Sequence, residues 1–134
     1  MKEPSLTPFL ASLLLLLGAT VLAQTATNPL VSENGHFNVS YASQLDPIAI
    51  NQIHSWTLHI TDSEGAPVAN ADIAIKGGMP QHNHGLATQP TIESSGEGTY
   101  LLQGLRFHMM GYWELELTID YGSAKDTVMI PLEL

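Results

Sequence analysis

The chain has 134 residues, no cysteine, and a formal net charge of −9, with four Lys or Arg against thirteen Asp or Glu. That length corresponds to one domain. The acidic balance argues against nucleic acid or an anionic lipid surface as a partner. The missing thiols exclude disulfides, thiolate metal sites and a cysteine nucleophile.

In chain order, Lys2 opens a short n-region and Phe9 to Ala23 reads FLASLLLLLGATVLA. The apolar run is roughly 15 residues, below the ~20 that a spanning helix needs. It closes on Val21-Leu22-Ala23, the small-x-small pattern that precedes a signal-peptidase cut. Residues 1–23 therefore read as a signal peptide, with a retained N-terminal anchor helix as the alternative. Either reading exports the remainder to a periplasmic or extracellular location, and membrane contact is expected only if the segment is retained. After residue 23 the basic residues are Lys76, Arg106 and Lys125.

Residues 24–34, QTATNPLVSEN, have no period and read as a flexible tether. From residue 35 to 134 the pattern is that of one β-domain. Phe37-Asn38-Val39-Ser40-Tyr41 alternates apolar and polar residues, as a half-buried strand does. His54, Trp56, Leu58 and Ile60 share one face of the next strand, and Ser55, Thr57 and His59 the other. Strands are predicted over 37–43, 54–61, 71–76, 91–94, 99–103, 112–119 and 126–132. Asp46-Pro47, Asp62 to Gly65, Gly96 to Gly98 and Asp120 to Ser123 supply the breaks, and Gly77 to Pro80 reads as a strand breaker. No helical period follows residue 24. About seven short strands at this spacing predict an all-β, immunoglobulin-like antiparallel β-sandwich.

Six histidines (36, 54, 59, 82, 84 and 108) and the methionines 79, 109, 110 and 129 carry the unusual chemistry. Most of them crowd two Gly/Pro-bordered segments, Met79-Pro80-Gln81-His82-Asn83-His84-Gly85 and Phe107-His108-Met109-Met110-Gly111. Strand parity brings these together. In an antiparallel sandwich the connections after residues 43, 76 and 103 fall at one end. His54, Met79, His82, His84, His108, Met109 and Met110 are then expected to converge there. His36 follows a turn and His59 faces away from the Trp56 side, so neither is expected to join, and Met129 reads as part of the last strand.

Imidazole binds copper, zinc and nickel, and thioether selects Cu(I). A His/Met set without thiolate in an exported protein points first to a copper ion, Cu(I) favoured over zinc. His54, Met79, His82, His84, His108 and Met109 are the candidate ligands. The competing reading is structural: methionines as flexible core filler, histidines shaping loops, and the whole end docking on a protein partner. No catalytic constellation is present. There is no Gly-x-Ser-x-Gly elbow, and Glu114 and Glu116 read as solvating charge on an outer strand face.

The set His54-x-Trp56, Gly78-Met79-Pro80-x-His82-x-His84-Gly85, Pro90, Gly98-x-Tyr100, Gly104, Phe107-His108-Met109 and Gly111-x-Trp113 resembles the YtkA-like domain, related to FixH-type proteins, over about residues 45–132. The resemblance matches residue by residue at His54, Met79, His82, His84, Phe107, Met109 and Trp113, with His108 and Met110 beside the pattern. It implies an immunoglobulin-like sandwich, extracytoplasmic placement, and an association with copper handling and respiratory oxidase assembly, hence a protein partner in those processes. FixH-type members keep a membrane helix.

Overall fold

The computed structural model describes residues 29–134. The segment read as a signal peptide or anchor, and the first part of the tether, lie outside the described residues. Nine strands follow: β1 Leu30–Val31, β2 Phe37–Ser43, β3 His54–Asp62, β4 Asp72–Met79, β5 His84–Gly85, β6 Thr91–Gly96, β7 Thr99–Leu105, β8 Tyr112–Tyr121 and β9 Ala124–Glu133. Among the described residues no helix is long and apolar enough to cross a membrane.

Two antiparallel sheets form, one in the order β1-β2-β3-β7-β6 and the other β5-β4-β8-β9. Without β1 and β5, these are the four-plus-three sheets of a constant-type immunoglobulin sandwich. The strands form because period-2 apolar residues have an opposing layer to bury against. Phe37 and Val39 on β2, Trp56, Leu58 and Ile60 on β3, and Tyr100, Leu102 and Leu105 on β7 face Trp113, Leu115, Leu117 and Ile119 on β8 and Val128 and Ile130 on β9. All of these are essentially solvent-free. Each large apolar side chain buried this way stabilises the fold by about 1.5–3 kcal/mol. At the end where β3 hands over to β4, the Tyr100 hydroxyl donates to the Val68 carbonyl at 2.7 Å and accepts from the Ala71 N–H at 2.9 Å.

Three expectations from the sequence change. The tether ends earlier than residue 34. Leu30 and Val31 pair with Val39 and Asn38, and the Glu33 N–H donates to the Thr127 carbonyl of the other sheet at 2.9 Å. Gly77-Gly78-Met79 does not break a strand but completes β4. Those glycines stay in the strand because their missing side chains are required: a β-carbon on Gly77 would collide with the Leu115 side chain, and one on Gly78 with the His84 carbonyl. Finally, the connection to β6 contains the two-residue strand β5, with Gly85 opposite Gly78 and His84 opposite Met79. The seven strands expected are therefore seven of nine.

The first of these changes rests on Asp126. Its carboxylate accepts from Ser32 Oγ at 2.6 Å, from the Asn34 side chain at 2.9 Å, and from the backbone N–H groups of Asn34, His36 and Thr127. His36 Nδ1 lies 3.2 Å from the same carboxylate. Burial opposes ionisation and is the largest single influence on this group. The hydrogen bonds from Ser32, Thr127, Asn34 and His36 together outweigh it and hold the carboxyl far below the usual carboxylate range. Ser32, His36 and Asp126 have the residue types of a hydrolase triad but not the geometry, because the serine donates to the aspartate rather than to the imidazole.

Candidate functional site

The strand ends place the connections 44–53, 80–90 and 106–111 at one pole of the sandwich. The Asn51 N–H donates to the Phe107 carbonyl at 2.7 Å, joining the first of these loops to the third.

The second connection begins as a tight hairpin. The His82 N–H donates to the Met79 carbonyl at 3.0 Å, and Asn83 takes a left-handed φ of 52°. Asparagine tolerates that conformation better than most residues. The Leu86 N–H then donates to the Gly77 carbonyl at 3.1 Å and closes the hairpin. His82 and His84, two residues apart on this tip, hold their ring centres 6.1 Å apart. Both are exposed, while Met79 beneath them is buried.

The third connection supplies His108. Its ring stands edge-on to His84, with centres 5.6 Å apart, and edge-on to Trp113, at 5.3 Å. Trp113 Nε1–H donates to the Met109 carbonyl at 3.0 Å. Gly111 and Leu134 exchange a pair of backbone hydrogen bonds, at 2.7 and 3.1 Å. Those bonds hold the loop from both sides. Met109 is half-buried against the core and Met110 is 67% exposed.

His82, His84 and His108 thus form a run of adjacent rings, with Met79 at the base of the hairpin. His54 is placed differently. It is buried at the start of β3, and its ring contacts are Trp56, with centres at 6.4 Å, and Phe107, at 5.8 Å. Its Nδ1 donates to the Gln52 carbonyl at 3.1 Å, and its buried Nε2 has no partner among the described residues. His36 is engaged at Asp126, and the exposed His59 pairs with Thr99 Oγ1 at 3.2 Å.

Two observations bear on whether these groups fit a metal. Among the described residues, no group of three or more His, Asp or Glu side chains stands ready to hold an ion as placed. The two adjacent pairs, His82–His84 and His84–His108, nevertheless have the spacing of two imidazoles on one ion: with nitrogen–metal bonds of about 2.0–2.1 Å, their centres stand roughly 5–6.5 Å apart. His108 Nδ1 and His54 Nε2 are both buried without a partner among the described residues, so each ring keeps one nitrogen uncommitted to the fold, but only His108 stands next to another imidazole. The donor set of imidazoles and thioethers suits a soft or borderline ion.

Against the outer face of β4 and β8 the hairpin shelters a groove of about 320 Å³, lined by Lys76, Asn83, His84, Glu114, Glu116 and Met129 among others. Lys76 Nζ pairs with Glu116 at 3.0 Å, and the Tyr112 hydroxyl donates to Glu114 at 3.0 Å. That hydrogen bond, more than burial, raises the Tyr112 phenol above its ordinary value. The sequence did not point to Asp126 as a structural hub. The available signal was its position on the buried parity of β9, in line with Val128, Ile130 and Leu132.

An immunoglobulin-like sandwich with a His/Met-bearing loop pole is the class that fold and site define. The YtkA-like family model matches residues 30–118, and the chain belongs to that family. The match begins at β1, earlier than the resemblance over 45–132 suggested. No curated protein and no solved structure matches the chain.

Proposed function

We propose that this protein is a non-enzymatic, exported copper-binding or copper-handling protein, with its site at the pole where the β4–β5 hairpin meets the β7–β8 loop. The observation that carries the reading is the run of three imidazoles, with ring centres 6.1 and 5.6 Å apart, drawn from segments more than twenty residues apart in the chain. His82, His84 and His108 are the imidazole donors. Met79 and Met109 are the thioethers within the same pole, and they bias the site toward Cu(I). His54 belongs to the packing beneath the pole rather than to the ion. The exposed His82 and His84 suit a site that takes up copper and hands it on as cargo. The acidic charge favours cation approach.

The test is competition titration with a chromophoric Cu(I) chelator, with Trp113 fluorescence as a second readout through its contact with His108. The His82→Ala/His84→Ala double variant should bind at least about tenfold more weakly, equivalent to about 1.4 kcal/mol. Equal affinity in the two proteins overturns the reading. In that case the exposed Met110 and Ile53, at 67% and 65%, favour docking of the same pole on a protein partner.

A further inference from the structure

β4 is covered along only part of one edge. β5 pairs with Gly78 and Met79, the Leu86 N–H reaches the Gly77 carbonyl, and the chain then leaves for β6. On that side, among the described residues, Asp72 to Lys76 pair with no strand, while β8 covers the other side along its length. Because the Gly77 carbonyl points toward β5, strand alternation turns the N–H and C=O groups of Ile75 and Ile73 to the same open edge. Asp72, Ala74 and Lys76 direct theirs to β8, and their side chains share the exposed outer face. An edge with unpaired backbone groups is a template for another strand.

The sequence of this edge is self-complementary. Antiparallel pairing of two copies about an axis through Ala74 sets Ile73 opposite Ile75 of the second copy, which joins the open backbone groups into a ladder. The same register sets Asp72 opposite Lys76 at both ends, so opposite charges meet across the strands. Moving the axis to residue 73 or 75 keeps the ladder but sets Asp72 or Lys76 against Ala74. Moving it halfway between residues loses the hydrogen-bonding parity. Only the axis through Ala74 satisfies backbone and charge together, and it places the smallest side chain of the edge where the strands approach most closely.

We propose that the open edge of β4 is a homotypic interface, through which two copies join their four-stranded sheets in one isologous, two-fold pair. Lys76 already meets Glu116 on its own sheet, and its exposed head group can bridge to Asp72 of the second copy from the same position. The charge of −9 on each copy opposes association at low salt, so the pair forms best at physiological ionic strength.

The absence of cysteine makes the test position-specific. In the purified protein under mild oxidation, Ala74→Cys should give a disulfide-linked dimer, because facing residues of a non-hydrogen-bonded antiparallel pair stand within disulfide reach. Asp72→Cys and Lys76→Cys should each fail to cross-link alone and should cross-link when mixed. Ser94→Cys, on exposed β6, measures the collisional rate. No dimer with Ala74→Cys, or a rate equal to that of Ser94→Cys, overturns the proposal. In sedimentation equilibrium, Asp72→Lys should weaken self-association and Asp72→Lys/Lys76→Asp should restore it; an unchanged constant in Asp72→Lys overturns the charge register.

Discussion

Met79 and Gly111 meet across the end of the sandwich: the Met79 methyl lies 3.1 Å from the point a β-carbon on Gly111 would occupy. This contact joins the last core residue of β4 to the loop that carries His108. Gly111 also has a φ of 121°, a conformation side chains rarely adopt. Gly111→Ala therefore meets both backbone strain and an occupied space, and is expected to cost about 1–3 kcal/mol. Met79→Ala, which empties a core position, is expected to cost about 2–5 kcal/mol. Urea denaturation of both variants checks the pair.

Gly78 holds the hairpin in a different way. A β-carbon there meets the His84 carbonyl oxygen, a backbone atom that cannot rotate away. Gly78→Ala should unpair β5 while leaving the Trp113 side of the core intact. Hydrogen exchange should then quicken at the amides of His82 and Leu86 by about tenfold or more, a local opening rather than a global one. Amides of β8 should exchange as before. If copper binds the pole, affinity should fall with hairpin order, and that titration separates the two effects.

His54 and the exposed pair should separate cleanly. His54 packs on Trp56 and Phe107, so His54→Ala should cost about 1–3 kcal/mol of stability through lost packing and a lost hydrogen bond. Copper affinity should fall far less than in His82→Ala, because His54 reaches the pole only indirectly, through Phe107. His82→Ala should do the reverse, with little change in stability and a clear loss of copper. Paired denaturation and chelator competition experiments read both axes.

Asp126 gives the fold an acid-sensitive latch. Its carboxyl is held well below the ordinary value by the hydrogen bonds from the 32–36 segment and Thr127, against the opposing pull of burial. A depressed folded-state value stabilises the protein above the unfolded value, near pH 4, and the contribution is lost as pH falls through the folded value. Stability should therefore decline from about pH 4 downward in the wild type. Asp126→Asn should lower the melting temperature at neutral pH and flatten that acid limb. Thermal melts between neutral and strongly acid pH measure it, and an acid limb unchanged in the variant would show that other carboxylates control it.

How far the sequence reached depended on how local each signal was. The alternation His54, Trp56, Leu58, Ile60 and the alternation Trp113, Leu115, Leu117, Ile119 revealed their strands and buried faces directly, because period-2 burial is written along a single segment. Strand parity alone places the Met79–Gly85 and Phe107–Gly111 segments at one pole. It was less able to sort the residues within the pole. His54 and His108 both carry apolar neighbours, yet one is locked to Gln52 under Phe107 and the other stands beside His84. Gly77 and Gly78 read as a break because glycine lowers strand propensity; their real role appears only against Leu115 and His84.

The sequence alone therefore determined the sandwich, its core faces and the pole at which the His and Met residues gather, since each follows from periodicity and the count of strands. Only the tertiary structure decided which of those side chains touch, that the supposed tether is latched by Asp126 some ninety residues away, and that β4 keeps an open edge. The physical reason is common to all three. They depend on atoms from distant segments competing for the same space and the same hydrogen bonds, and no single segment carries that information.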